Sequence, residues 1–406
     1  MRRREAEEAE IEKPTAVVVN DGGPNGYGVI LNLGRAGVPV LSVNPDPKDI
    51  TFYSRYGTKV ISPEFKAEAE FIEFLAGVGE KLTPKPVLFV TGDTPLLVIL
   101  RHRPELEKYF RFPIADLEIV EKLVNKKYFY QTLQEIGVEH PRTYFPRHIS
   151  EVAALSQKLQ YPYIVKPVNS RTFKQKFGVK IFKADSAQEL IELYKKATEA
   201  GEEVVLQQEI PGKERYLVYT YFNRNLKPAA ISCYKKIRLS PSPYGNACVC
   251  ETIWEPEVVN FVLEVLTKLK FWGLAEPEVQ RDPRDGRLKL IEINARSTTE
   301  TRLSAALGMN MEFLAYSECL DSPIKNKPRL DNALQQEPVK WIDIREDLYT
   351  VFSRQEGYLA RKEITVGEWL KSLKGKREYA ILAWEDPLPF VVQFFRFLSS
   401  IWRGSK

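Results

Sequence analysis

The sequence is poor in the residues that build disulfide frameworks and transition-metal centres. Its 406 residues include four cysteines, and no two of them form a C-x-x-C pair. The three histidines show no paired metal-binding spacing. A disulfide scaffold, a cysteine-based zinc site and a histidine-ligated metal centre are therefore excluded. This composition is typical of a reducing compartment, and we expect a cytoplasmic protein.

The sequence also lacks long apolar runs and a strong charge of one sign. No run of about 18 uncharged apolar residues is present, which excludes a membrane-spanning helix. Residues 1–13 mix acidic and basic side chains without the apolar core of a signal peptide, and we expect a disordered arm there. The net charge of +5, from 59 basic and 54 acidic residues, is too dilute to indicate nucleic acid, and we expect no such partner.

Motifs of several common enzyme classes are missing as well. There is no GxxxxGK[ST] segment, which excludes a P-loop NTPase. The segment DGGPNGYG at 21–28 departs from GxGxxG, which argues against a dinucleotide site. No GxSxG segment is present, which argues against a serine hydrolase of that type.

Residues 14–115 have the alternation of a small open α/β domain. β-Branched runs at 15–20, 38–43 and 87–91 predict buried parallel strands, and helical spacing at 29–37 links the first two. Ligands of such sheets bind beyond the carboxyl ends of the strands. The candidate substrate residues in those loops are Asn20, Asp21, Asn25 and Asp93.

Residues 116–320 read as an α+β region. A helix is predicted over 118–136, and several strands follow, with a basic loop at 170–178 between two of them. The segment RDPRDGR at 281–287 predicts a turn between two antiparallel strands. Residues 321–406 form a third segment, with strands expected at 341–346 and 379–384 and a terminal helix.

The strongest chemical signal is a group of oxygen-bearing side chains on those two strands. The period of two places Glu292 and Asn294 on one face, and the turn brings Glu278 opposite Glu292. Two carboxylates about 4 Å apart would repel by roughly 4 kcal/mol without a cation. Carboxylate and amide oxygens suit Mg²⁺, and a solvated hairpin face is the alternative.

Basic residues supply candidate phosphate ligands. Lys166 ends an apolar strand and Lys126 lies in a helical segment, although each alone would be an ordinary surface lysine. Lys236 and Arg238 are predicted to share a strand face, and Arg296 follows the acidic strand. Basic side chains grouped in this way predict a binding site for an anion.

The order of these segments resembles the ATP-grasp superfamily. Lys126, YPYIVKP with Lys166, QQEIPGKE at 207–214, Glu278 and IEINAR at 291–296 follow one another within residues 15–320. More narrowly, the chain resembles predicted ATP-dependent carboligases, distantly similar to biotin carboxylase and D-aspartate ligase. FYSRYGTK at 52–59 and the Asp-Pro-Leu-Pro segment near the C-terminus also resemble that branch.

The resemblance implies a fold and a division of roles. The expected fold is α/β plus α+β, with an N-terminal pre-ATP-grasp domain at 14–115, an ATP-grasp domain at 116–320 and a C-terminal appendage at 321–406. ATP and Mg²⁺, or Mn²⁺ in its place, are the implied cofactors. The implied nucleotide-binding residues are Lys126, Lys166, Gln207, Glu209, Ile210, Glu214 and Lys236. The implied metal ligands are Glu278, Glu292 and Asn294, and the implied catalytic residues are Arg296 and Arg238.

Two features depart from the family pattern. The loop at 170–178 contains Gly178 as its single glycine and carries Phe173 and Phe177, where relatives have a glycine-rich lid. Pro277, which cannot donate to a strand ladder, predicts an edge or a bulge.

The implied reaction is the joining of a small carboxylic acid to an amine through an acyl phosphate. A carboxylate resists attack by an amine, whereas an acyl phosphate has a good leaving group. A small-molecule kinase on the same scaffold is the second interpretation. A non-catalytic ATP-binding module is the third, and the altered loop favours it.

The C-terminal segment 390–403, FVVQFFRFLSSIWR, is predicted to be an amphipathic helix. Gln393, Arg396, Ser400 and Arg403 fall on one face and the rest is apolar. Packing on its own domain or in a homodimer is the favoured interpretation. Peripheral membrane contact is the alternative, since Arg and Trp suit the interface.

Overall fold

The computed structural model describes residues 13–168, 170–320, 337–354 and 357–402. Most of the predicted arm at 1–13, and the first part of the predicted C-terminal segment, lie outside the described residues. The described chain forms three β-sheets with helices packed around them. The predicted mixture of α/β and α+β regions is confirmed.

The first sheet is parallel and has the strand order β3-β2-β1-β4. Its strands are β1 (Ala16–Val19), β2 (Val40–Asn44), β3 (Gly57–Ile61) and β4 (Val87–Val90). The surrounding helices are α1 (Gly23–Arg35), a 3-10 helix (Ile50–Tyr53), α2 (Glu68–Glu80), α3 (Asp93–Arg101) and α4 (Arg103–Leu106). The chain order reverses between β1 and β4, so the loops after these strands border a ligand crevice.

The predicted helix over 118–136 is wrong, because the structure has two helices there. These are α5 (Leu117–Val124) and α6 (Lys126–Glu135), separated by Asn125. Asn125 leaves the helical conformation, and its side chain accepts hydrogen bonds from the backbone N–H groups of Lys127 and Tyr128. An N-cap of this kind starts a new helix. The break places Lys126 at the first turn of α6.

The second sheet is small and antiparallel, with the order β5-β8-β6-β7. Its strands are β5 (Thr143–Tyr144), β6 (Tyr163–Pro167), β7 (Phe182–Ala184) and β8 (Val204–Gln208). Its helices are α7 (Ile149–Ser156), α8 (Ser170–Phe177) and α9 (Ala187–Glu199).

The predicted loop at 170–178 is wrong, since most of this segment is helix α8. Phe173 is fully buried, and its ring contacts Phe177 at 4.7 Å and Phe182 at 4.8 Å between centroids. Ring contacts of this kind stabilise a packed cluster. The two phenylalanines that depart from the family pattern therefore fix α8 on the small sheet.

The third sheet has seven strands in the order β13-β12-β9-β10-β11-β14-β15. Its strands are β9 (Arg215–Phe222), β10 (Pro228–Ser240), β11 (Asn246–Ile253), β12 (Gly273–Arg281), β13 (Leu288–Asn294), β14 (Val339–Ile342) and β15 (Lys376–Tyr379). The remaining helices are α10 (Pro256–Lys268), α11 (Thr301–Ala306), α12 (Met311–Cys319), α13 (Ile344–Phe352), α14 (Val366–Ser372) and α15 (Leu388–Trp402). The strands predicted at 341–346 and 379–384 lie a few residues earlier, as β14 and β15.

Pro277 lies inside this sheet rather than at its edge. Strand β12 pairs with β13 on one side and β9 on the other, and the register with β13 shifts between Glu278 and Val279. A bulge tolerates a residue without an N–H group. The edge alternative for Pro277 is therefore wrong, and the nearest bulge follows Glu278, one residue after the proline.

Residues 380–386 form a strap that joins the large sheet to the first domain. Asp386 accepts hydrogen bonds from the Ser54 hydroxyl (2.6 Å) and the Arg55 backbone N–H (3.0 Å), and its carbonyl accepts one from Tyr27. At the other end, Arg302 donates to the carbonyl of Tyr379 at the end of β15 and to the carbonyl of Leu382 in the strap. The two segments FYSRYGTK and Asp-Pro-Leu-Pro are thus in direct contact.

Helix α15 follows the strap and presents apolar side chains outward. Phe390 and Phe397 are half-buried, and Arg396 donates to the Tyr53 hydroxyl at 3.3 Å. Of the polar face, Gln393 is half-buried and Arg396 is exposed, while Arg403 lies outside the described residues. The exposed apolar residues are Leu388, Val391, Phe394, Phe395 and Leu398. No helix among the described residues is long and apolar enough to span a membrane.

We expect the Asp386→Ala substitution to destabilise the protein by about 2 to 3 kcal/mol, because it leaves the buried Ser54 hydroxyl and the Arg55 N–H without an acceptor. Urea denaturation measures this loss. The control is Glu385→Ala, which removes a partly exposed ion pair with Arg35 and should cost less than about 1 kcal/mol. An equal decrease in the free energy of unfolding for the two variants would contradict a specific stabilising role of the Asp386 hydrogen bonds.

Candidate active site

A cavity of about 500 Å³ lies where the three sheets meet. It receives side chains from the loops after β1 and β4, from the small sheet, and from β10, β12 and β13 of the large sheet. The structure brings most of the predicted site residues together here. Those that line the cavity are Asp21, Asn25, Asp93, Lys126, Lys166, Gln207, Glu209, Ile210, Lys236, Glu278, Glu292, Asn294 and Arg296.

The predicted facing of the two carboxylates is confirmed. Glu278 on β12 pairs with Glu292 on β13 in the strand register, and Asn294 lies two residues further along β13. The Lys236 ammonium lies 2.5 Å from the Glu278 carboxylate. Burial by itself would raise the pKa of Glu292, but Lys166, Lys126 and Lys236 hold that pKa below its usual value.

Three further lysines approach the acidic pair from different directions, and two of them, Lys166 and Lys126, were predicted. Lys166 on β6 donates to the Tyr130 hydroxyl at 3.1 Å, and its pKa is raised because Tyr130, Glu292 and Glu278 outweigh burial. Lys126, at the start of α6, donates to the Val168 carbonyl. Burial and the neighbouring Lys166 lower the pKa of Lys126 to about 8. The cluster of ammonium groups therefore favours an added anion.

Lys180 is a cavity lysine that the sequence reasoning missed. It lies between α8 and β7, and its ammonium donates to Asn246 on β11 at 2.7 Å. Burial lowers the pKa of Lys180, while Glu292 acts in the opposite direction. The signal in the sequence was weak, since Lys180 is one of several lysines in this stretch. Its contact joins the small sheet to the large one across the cavity.

One end of the cavity has apolar walls and backbone polar groups. Ile164, Ile181, Leu217 and Ile291 line this end together with residues 207–210. The Gln280 side chain donates to the Ile210 carbonyl at 3.0 Å, which fixes the connector after β8. A flat aromatic base with polar edges fits such a slot.

Glu214 lies apart from the cavity. Its carboxylate is about half exposed and pairs with Arg281 at 3.2 Å, and it is not among the described residues that line the cavity. The structure therefore does not bring Glu214 to the apolar end, where the resemblance implied a contact with adenosine.

The prediction that Arg238 shares a face with Lys236 is wrong. The register between β10 and β11 shifts between these two residues, so a bulge turns Arg238 away. Arg238 is buried against Asp347, with Nε 2.6 Å from the carboxylate, and also donates to Ser372. It is not among the described residues that line the cavity, and this position does not support a catalytic role.

Arg296 contacts the first domain through a two-pronged ion pair. Its Nε and Nη2 atoms donate to the two carboxylate oxygens of Asp93 at 2.7 and 3.0 Å. Burial would raise the pKa of Asp93, but Arg296 holds it below its usual value. Paired geometry of this kind is the strong form of the interaction.

Asn20 is buried in the first domain and is not among the described residues that line the cavity. It is fully buried, and its amide donates to the Ser42 hydroxyl and the Val43 carbonyl. Its side-chain oxygen accepts from the Gly22 N–H. Asn20 thus shapes the turn that presents Asp21, and we assign it no substrate contact.

Glu276 and Glu300 form a second acidic pair that the sequence reasoning did not single out. Both are buried, both line the cavity, and the hydroxyls of Thr298 and Thr299 each donate to one of them. Burial, then the neighbouring Glu300, raises the pKa of Glu276 well above its usual value. The period-two rule placed Glu276 beside Glu278, which was the available signal.

The residues at Glu278, Glu292 and Asn294 fit a hard divalent cation. Two carboxylates and an amide oxygen, surrounded by ammonium groups that suit phosphate, are a typical donor set for Mg²⁺ carried with a nucleotide. Within the described parts of the chain, no group of three or more His, Cys, Asp and Glu side chains forms a metal site.

Comparison with known proteins places these features in context. No family model matches the sequence. The chain is 24% identical over 353 residues to D-aspartate ligase of Enterococcus faecium (strain Aus0004), covering 82% of this chain and 84% of that protein. The structure superposes on an ADP complex of N5-carboxyaminoimidazole ribonucleotide synthetase with a TM-score of 0.64 and 14% identity, over 83% of this chain and 84% of the other.

A third relative has a related chemistry. An L-amino acid ligase from Bacillus licheniformis superposes with a TM-score of 0.59 and 20% identity, covering 76% of this chain and 74% of that one. These structural neighbours are ATP-grasp enzymes. The chain has the ATP-grasp fold. In the ATP-grasp arrangement found here, the small sheet lies over the acidic strands of the large sheet, and the first domain closes the third side.

We expect Lys236→Met to lower the free energy of unfolding by about 3 kcal/mol, because it removes the cation that lies against the buried Glu278 carboxylate. Millimolar Mg²⁺ should recover part of this loss by replacing the missing charge. Urea denaturation with Mg²⁺ or EDTA measures both effects. Lys235→Met, at the neighbouring position of the same strand, is the control and should show no Mg²⁺ effect. A Mg²⁺ response equal in both variants would contradict the metal assignment.

Proposed function

We propose that the protein is an ATP- and Mg²⁺-dependent ligase that joins a small carboxylic acid to an amine and forms ADP. The observation that carries this proposal is the facing of Glu278 and Glu292 in one cavity with Lys126 and Lys166. The related proteins support it, since they include D-aspartate ligase and an L-amino acid ligase.

Different residues of the cavity bind different parts of the nucleotide. The apolar slot with Gln207, Glu209 and Ile210 holds the adenine end. Lys126 and Lys166 contact the phosphate chain, because a lysine ammonium is a compact cation that suits phosphate. Lys180 and Lys236 complete this basic wall.

The acidic strands hold the metal of the nucleotide. Glu278, Glu292 and Asn294 would bind Mg²⁺, which neutralises phosphate charge when it is bound. Arg296 lies beside them and is oriented by Asp93. Its guanidinium is placed to contact the carboxylate oxygens of the acid substrate and the phosphoryl group that reaches them.

The reaction then has two balanced steps. An oxygen of the carboxylate takes the γ-phosphoryl group, and the bond to the β-phosphate breaks to release ADP. The amine attacks the acyl carbon, the new C–N bond forms, phosphate leaves with the C–O bond electrons, and the amine loses its proton. Fixed cations around the transferred group offset its charge in each step.

We expect purified protein to release ADP and phosphate in equal amounts when one acid and one amine are both present, with a product mass equal to their sum less water. Lys126→Ala should weaken Mg-nucleotide binding by about tenfold or more, because one buried phosphate cation is lost. Calorimetry measures the binding. Lys127→Ala is the matched control, since Lys127 pairs with Glu203 outside the cavity.

Other products would overturn this proposal in defined ways. A phosphorylated acid or alcohol formed without any amine would identify a small-molecule kinase. Tight Mg-nucleotide binding with no phosphate release across acids and amines would identify a non-catalytic nucleotide-binding module. Equal nucleotide binding by the Lys126→Ala and Lys127→Ala variants would remove the phosphate assignment itself.

We also propose that α15 contacts an anionic lipid surface from the cytoplasmic side. Five apolar side chains lie on its outer face, and Phe395 is 64% exposed. Residues 387–406 contain Arg396, Arg403 and Lys406 but no acidic residue. An amphipathic helix with this charge binds interfaces through apolar burial and attraction to anionic lipid.

Substitution of Phe394 and Phe395 by Ser should reduce pelleting with vesicles of phosphatidylserine and phosphatidylcholine by about tenfold, because each ring removes apolar area from the interface. Val366→Ser, at another exposed apolar position, is the control. Gel filtration of the wild-type protein accompanies the assay. A homodimer that dissociates in the Phe variant, with no vesicle binding by the wild type, would show that a second copy covers this face.

A further inference from the structure

The turn between β10 and β11 forms part of the cavity wall. It spans residues 241–245, and Pro243, Tyr244 and Gly245 line the cavity together with Asn246 at the start of β11. A Cβ at Gly245 would overlap the backbone at the other end of the turn, so the glycine permits the chain to fold back this closely. The turn is therefore a compact unit that faces the cavity.

Two side-chain contacts tie this turn and the start of β11 to the small sheet. The Tyr244 hydroxyl donates to the carboxylate of Glu209, which lies in the connector after β8. Asn246 accepts a hydrogen bond from the Lys180 ammonium at 2.7 Å. Because that connector borders the apolar slot, the position of the turn affects the shape of the slot in which we place the adenine end of the nucleotide.

The part of β10 that leads into the turn has a strand partner on one side. The described pairing of β9 with β10 ends at Lys235, whereas β10 continues to Ser240 and is paired there with β11. The register with β11 also shifts on both sides of Arg238. A strand edge without a neighbour leaves backbone N–H and C=O groups that need other partners.

The C-terminal segment supplies partners for this strand edge. The Leu239 N–H donates to the Tyr358 hydroxyl at 3.1 Å, and the Thr350 hydroxyl donates to the Leu239 carbonyl at 3.0 Å. The Ser240 hydroxyl donates to the Glu346 carboxylate at 2.7 Å. Tyr358 and Thr350 are both buried. Side chains of α13 and of the segment after it thus take the place of a neighbouring strand at Leu239.

Tyr358 is itself held in place by several contacts. Its backbone N–H donates to the Thr350 carbonyl at 3.1 Å, and its carbonyl accepts from the Glu363 N–H at 2.9 Å. The Arg361 guanidinium lies over the Tyr358 ring, 5.4 Å from its centroid, and donates to the Ser242 carbonyl in the turn at 3.4 Å. The Tyr358 hydroxyl is therefore an acceptor with a fixed position.

We propose that Tyr358 is a positioning residue for the nucleotide site. Its hydroxyl fixes the end of β10, this strand holds the turn, and Tyr244 in the turn holds the connector that contains Glu209. A nucleotide then meets a wall that is already ordered, so less free energy is lost to ordering when it binds. The inference rests on the proposed function, since it places the nucleotide in this cavity.

The Tyr358→Phe variant tests the role of the hydroxyl, because it removes that group and keeps the ring. We expect the Kd for Mg²⁺ with a non-hydrolysable ATP analogue to rise about fivefold, since a turn that has lost one buried hydrogen bond must be ordered when the nucleotide binds. Calorimetry with the full-length protein, well below its unfolding temperature, measures the Kd. Tyr349→Phe, at a tyrosine of α13 that is 61% exposed, is the matched control and should leave the Kd unchanged.

A double-mutant cycle separates positioning from a merely structural role. A loss of global stability alone lowers the free energy of unfolding, measured in urea, and leaves the Kd of the folded protein unchanged. Tyr244→Phe breaks the contact between the turn and the connector, so adding Tyr358→Phe in that background should change the Kd by less than about twofold. An unchanged Kd in Tyr358→Phe alone, or an equal rise in both backgrounds, would overturn the role of Tyr358.

The same measurements distinguish this inference from the ligase proposal. Coupling between Tyr358 and Tyr244 in nucleotide binding supports the positioning role even if no amide forms with any acid and amine. Nucleotide binding without that coupling overturns the positioning role and leaves the ligase proposal intact. Absence of nucleotide binding by the wild-type protein would overturn both.

Discussion

The structure depends on two carboxylates that face each other across neighbouring strands. Glu278 and Glu292 form a register pair on β12 and β13, and both lie in a largely buried setting. Two carboxylates about 4 Å apart would repel by roughly 4 kcal/mol at the effective dielectric typical of proteins. The pair is tolerated because the Lys236 ammonium on β10 contacts Glu278, and Lys166 on β6 and Lys126 on α6 lower the pKa of Glu292.

The same constraint explains why the site needs every part of the fold. Lys236 belongs to the large sheet, Lys166 to the small sheet, and Lys126 to helix α6, so the charges meet only when these units pack together. The lysines are also desolvated and repel one another, which lowers the pKa of Lys126. Extra negative charge of the kind a polyphosphate carries relieves that repulsion, and a divalent cation relieves the repulsion of the carboxylates. A metal–nucleotide complex supplies both at once.

Sequence periodicity predicted those parts of the site that depend on regular strands. Spacing of two and an Asp-Gly turn were enough to pair Glu278 with Glu292, because the ladder there is regular up to Glu278. The same rule failed at Arg238, where a bulge changes the face. The loop predicted at 170–178 was also wrong, because the buried Phe173 packs on Phe177 and the segment forms a helix. Lys180 and Glu300 lie in connections between elements, and their positions follow from tertiary packing that no local pattern encodes.

The strap brings into contact sequence motifs that lie far apart in the chain. Arg302 lies two residues after the cavity residue Glu300 and donates to the carbonyls of Tyr379 and Leu382. At the other end of the strap, Asp386 accepts a hydrogen bond from Ser54 in the first domain. The first domain also supplies Asp93, which orients Arg296. The strap acts beside other contacts of the first domain, which include the packing of α1 on α11 and α12, the packing of α3 on α5, and the hydrogen bond from Asn32 to Glu312. The strap is therefore one of several contacts that hold the first domain, with Asp93, against the strands that carry Glu278 and Glu292.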